Sequence, residues 1–216
     1  DGLRTDPGFP IQPAYIASTY ANRGLIHGAA LIGARYSTSL PGFDPVVATA
    51  QTSSAASAAV EPEISTTGWT PTTFVDLKRL PGLYDDGSNQ ALVLTLGQYR
   101  AASQVERLYS EIDVRLFRSD SDDWTPPTVE SIKLIGSQME VAASDTSGIY
   151  TVLVAYDTSG AEWNMVELTP ADGRWLGAVP AGATTHQVQV VDLAGNVAVV
   201  DGENEPSVFN PPSIYL

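Results

Sequence analysis

The chain has 216 residues, 43% of them hydrophobic, and a formal net charge of −14. That length suits one large β domain or two small ones with a packed core, and the acid excess repels phosphate backbones and anionic lipid, which argues against nucleic acid and membrane surfaces as partners. There are no cysteines, so disulfides, thiolate nucleophiles and thiolate metal sites are excluded, and no run approaches the roughly 20 apolar residues of a membrane-spanning helix.

The sequence opens on Asp1, read as the start of a mature or excised fragment. Tyr15–Asn22 and Leu25–Ala34 fit either helix or strand, which leaves room for a small helical component. Residues 48–60, rich in Ala, Ser and Thr, are expected to form a partly ordered connection. Thr73–Leu77, Ala91–Leu96, Val105–Tyr109 and Ile112–Phe117 carry strand composition. In the last of these Ile112, Val114 and Leu116 alternate with Asp113, Arg115 and Phe117. Asp85–Asn89 reads as a loop tip. Residues 1–123 are therefore expected to form a β-rich domain.

Trp124-Thr125-Pro126-Pro127-Thr128 marks a domain junction. Its two prolines remove backbone donors and hold the chain extended. Seven short strands follow: Val129–Ile135, Gln138–Ala143, Ile149–Tyr156, Glu162–Glu167, Arg174–Val179, Thr185–Val191 and Val197–Val200. Asp172-Gly173 is a strong hairpin signal. Close turns between short β-branched runs are the pattern of an antiparallel sandwich. This second domain spans 124–205, and 206–216 is a tail. The half from Trp124 onward holds 11 acids against 2 bases, so it is the more acidic part.

Thr125-Pro126-Pro127-Thr128-Val129, Asp145-Thr146-Ser147-Gly148-Ile149, Trp175 and Asp192-Leu193-Ala194-Gly195-Asn196 together resemble bacterial immunoglobulin-like or fibronectin-III-like modules of secreted and cell-surface proteins. The resemblance covers residues 124–202. It implies an immunoglobulin-like antiparallel sandwich there, and with the β-rich domain upstream the expected fold is mainly β in two domains. It also implies an extracellular or cell-surface location and a spacing, stabilising or adhesive role. A fainter resemblance covers 68–118, through Gly68-Trp69-Thr70-Pro71, Gln98-Tyr99-Arg100 and Arg107–Arg115. Those residues are similar to non-catalytic β regions flanking gingipain-type cysteine peptidases. Such peptidases need a catalytic Cys, and this chain has none.

The expected function is that of a non-catalytic accessory region whose partners are other domains of the same polypeptide. The alternative is an adhesive module for a surface protein or a glycan, with calcium as its cofactor. A hydrolase is the third reading. His27 could serve a hydrolase as a base, but it reads more simply as a partly buried or loop histidine. Gly-x-Ser-x-Gly and phosphate-binding glycine motifs are absent from the sequence. Calcium takes six to eight oxygens, often from Asp side chains at loop ends. Asp122, Asp123, Asp145 and Asp192 are its candidate ligands. Asp145 and Asp192 equally suit Asx turns, with Gly148 and Gly195 supplying positive φ. Trp69, Trp124, Trp163 and Trp175 could form a sugar-stacking platform, while Trp163 and Trp175 also suit the sandwich core.

Overall fold

The computed structural model describes residues 2–4, 9–19, 25–48, 68–79, 90–158 and 160–201. Residues 49–60 of the Ala/Ser-rich connection, the Asp85–Asn89 loop and the 206–216 tail lie outside them. The described residues hold fifteen strands and no helix. The upstream strands are β1 (Gly2–Arg4), β2 (Gln12–Thr19), β3 (Leu25–Thr38), β4 (Val75–Arg79), β5 (Gln90–Thr95), β6 (Gly97–Arg100) and β7 (Val105–Ser119). After the proline segment come β8 (Thr128–Ile135), β9 (Gln138–Ser144), β10 (Ile149–Thr158), β11 (Glu162–Glu167) and β12 (Thr169–Ala171). The last three are β13 (Arg174–Ala178), β14 (Ala183–Asp192) and β15 (Val197–Asp201).

The segment at Leu25–Ala34 is strand, part of the fourteen-residue β3. Beside it, β7 fuses two strands expected to be separate. The register of β7 on β3 shifts between Arg35/Glu111 and Tyr36/Tyr109. Ser110 is thus absorbed as a bulge, which accommodates one extra residue without ending the ladder.

All strand pairs are antiparallel and form three sheets, ordered β1-β2-β5-β4, β15-β14-β10-β11-β3-β7-β6 and β12-β13-β9-β8. All seven strands expected after Trp124 are present, and β12 is an additional one. The Asp172-Gly173 turn has positive φ at both residues, 48° and 76°, as a tight primed hairpin requires. Met139 and Val141 of β9 meet Val152 and Val154 of β10 and Val188 and Val190 of β14 in one core. The sheet β12-β13-β9-β8 therefore faces the strands β11-β10-β14-β15 across an apolar layer.

The outer face of β10 and β14 is buried as well. Leu153 and Ala155 are both 0% exposed. Leu31, Ala34, Phe74, Tyr109, Ala155 and Trp163 form a second core on that side. The long sheet reaches it by passing from β11 to β3 through a short ladder, Glu162↔Arg35 and Trp163↔Ala34. The β3–β7 ribbon thus folds back over strands whose other face closes the sandwich. Contact is close there: a Cβ on Gly28 of β3 would lie 2.3 Å from Val197 Cγ2 and 2.6 Å from the Gly195 carbonyl oxygen. Only glycine fits at that crossing.

Candidate functional site

Three sequence-remote aspartates converge where the proline segment meets two turns. Oxygens of Asp123, Asp145 and Asp192 all lie within 4.8 Å of one another. Each is placed by its own turn. Asp123 accepts a hydrogen bond from the Thr125 amide at 2.9 Å. Asp145 accepts from the Ser147 amide at 2.7 Å and from the Ser147 hydroxyl at 2.8 Å. Asp192 accepts from the Asn196 amide and from Asn196 Nδ2, both at 2.8 Å. Gly148 and Gly195 close these turns with φ of 94° and 89°. Asp145 therefore makes the Asx bond expected of it, to the amide two residues on, whereas Asp192 bonds the amide four residues on and spans a wider turn than the expected Asx turn.

The turns are also tied to each other. Asn196 Nδ2 donates to the carbonyls of Asp123 and Thr125 at 3.1 and 3.2 Å. The Leu193 amide donates to the Gly148 carbonyl at 3.0 Å. Asp192 is 1% exposed. Burial pushes its carboxyl above the usual range, the Asn196 donors pull it back, and Asp145 and Asp123 push it up again. The like charges of Asp145 and Asp123 thus act against the ionised form of Asp192. A cation held between them would relieve the repulsion. Asp122 is exposed and is not part of the group.

His27 lies at the same junction and is 7% exposed. Its ring stacks on Trp124 with centroids 3.7 Å apart. A Cβ on Gly195 would lie 3.3 Å from the Cβ atoms of His27 and Phe117. The Asp192–Asn196 turn therefore rests directly on β3 and β7.

The four tryptophans have separate intramolecular partners. Trp69 packs on Arg107, Trp124 on His27, and Trp175 against the sandwich core. Trp163 is buried and donates from Nε1 to the Tyr109 hydroxyl at 3.2 Å.

A second polar group lies between the sandwich and the upstream strands. Arg107 Nη2 of β7 donates to Asp157 Oδ2 of β10 at 2.6 Å. Tyr36 of β3 donates its hydroxyl to the same carboxylate at 2.9 Å. The Arg107 guanidinium lies 3.8 Å from the Trp69 ring centre and 4.5 Å from that of Tyr36. Burial raises the Asp157 carboxyl against the opposing pull of Arg107 and Tyr36. Burial also pushes the Tyr36 hydroxyl up to about 12.

Two glutamines clasp β3, Gln189 from the sandwich and Gln90 from the upstream sheet. Gln189 of β14 accepts from the Leu31 amide at 2.7 Å and donates to the Leu31 carbonyl at 2.8 Å. Gln90 of β5 likewise accepts from the Ile26 amide at 2.8 Å and donates to the Ile26 carbonyl. β11 pairs with β3 at Ala34 and Arg35, and these side-chain amides do for Ile26 and Leu31 what a neighbouring strand would do. Arg107, Asp157, Gln90 and Gln189 were not legible as a set in the sequence. The available signal was polar residues punctuating the apolar runs of β10 and β14.

Compared with known proteins, the chain matches no family model, no curated protein and no solved structure.

Proposed function

We propose that this chain is a non-catalytic accessory region of a larger exported bacterial protein, in which it spaces, stabilises or docks neighbouring domains. On this reading residues 124–205 are an immunoglobulin-like sandwich and residues 1–123 a β-rich domain fixed to it. The strand orders β12-β13-β9-β8 and β11-β10-β14-β15 support the immunoglobulin-like assignment. The observation that carries the positional role is the joint itself. The β11–β3 ladder, the Arg107–Asp157 pair and the Gln189 clasp on Leu31 all connect the two parts. Such a joint transmits orientation, whereas a flexible linker would not. The acidic composition agrees with an extracellular or cell-surface setting. Assays against peptide, ester and glycoside substrates should give no turnover above buffer. Turnover that disappears in a His27→Ala variant would overturn the reading.

A second reading is favoured by the convergence of Asp123, Asp145 and Asp192. Here the junction binds calcium, with these carboxylates as ligands and main-chain carbonyls or water completing the oxygen shell. Calcium would draw together the proline segment and both turns, and so stiffen an adhesive or docking surface. Added to chelator-treated protein, millimolar calcium should raise the melting temperature by several degrees, and Asp145→Asn should abolish the rise. An unchanged melting temperature in the unsubstituted protein would sink this reading.

A further inference from the structure

No further inference is drawn: the strongest candidate, the face of the sheet β1-β2-β5-β4 that carries Leu3, Pro13, Tyr15 and Leu94, is partly exposed and apolar, but nothing in the structure shows what covers it.

Discussion

Replacing Asp157 with alanine should destabilise the folded chain by about 3–5 kcal/mol, because it leaves the Arg107 guanidinium buried without its carboxylate. Both side chains are withdrawn from water, at 8% and 1% exposure, so solvent screens the pair little. The same change removes the acceptor of the Tyr36 hydroxyl. At this chain length each kcal/mol corresponds to roughly 2–4 °C of melting temperature. Replacing both partners, as Asp157→Leu with Arg107→Met, should restore most of the loss, since an apolar pair of similar volume has no charge to desolvate. A loss below about 1 kcal/mol in Asp157→Ala would place the pair among weak surface contacts instead.

The pair also has a pH signature. The folded-state value of Asp157 is raised by burial, so between the unfolded and folded values the folded chain binds more protons there than the unfolded chain does. Its contribution is fully present below the ordinary carboxylate pKa of about 4 and is lost as pH rises through the raised folded value. Urea midpoints measured from pH 4 upward should therefore carry a downward component. The double replacement should remove that component, and an unaltered slope would contradict the assignment.

Gln189→Met should be the second severe substitution. It keeps side-chain volume but leaves the Leu31 amide and carbonyl without their partner inside the protein. Each buried group left unsatisfied costs roughly 1–3 kcal/mol. Equilibrium unfolding should show a loss in that range or above, with the far-UV spectrum still that of a β protein. A change within about 0.5 kcal/mol is what exposed positions give. That result would mean that water or another group satisfies Leu31.

The strands after Trp124 were readable because turn chemistry and β-branched runs act locally. Asp172-Gly173 fixes its hairpin by backbone preference alone, and Met139 and Val141 alternate as one-sided burial demands. The partnership of β10 with β3 and β7 was not readable. Its trace is the unbroken burial of Val152, Leu153, Val154 and Ala155. A strand with one wet face alternates, and a strand covered on both faces does not. The run does not reveal which distant segment covers the second face. Gln187 and Gln189 alternate with Val188 and Val190 along β14, and both are buried, because their amides bond the Thr72 carbonyl and the Leu31 backbone. The candidate aspartates followed a similar rule. Asp123, Asp145 and Asp192 sit in turns that local sequence specifies, and the sandwich topology brings the turns together. Asp122 is adjacent in sequence to Asp123, at a bend, and remains exposed.

The positional role rests on the two parts behaving as one body. Amide hydrogen exchange in rising urea tests this directly, by comparing β3 and β7 with β10 and β14. The shared sheet and the Arg107, Asp157 and Gln189 contacts predict that amides of all four strands open together at one urea midpoint. Opening of β3 and β7 at a clearly lower midpoint, with β10 and β14 still protected, would contradict the account.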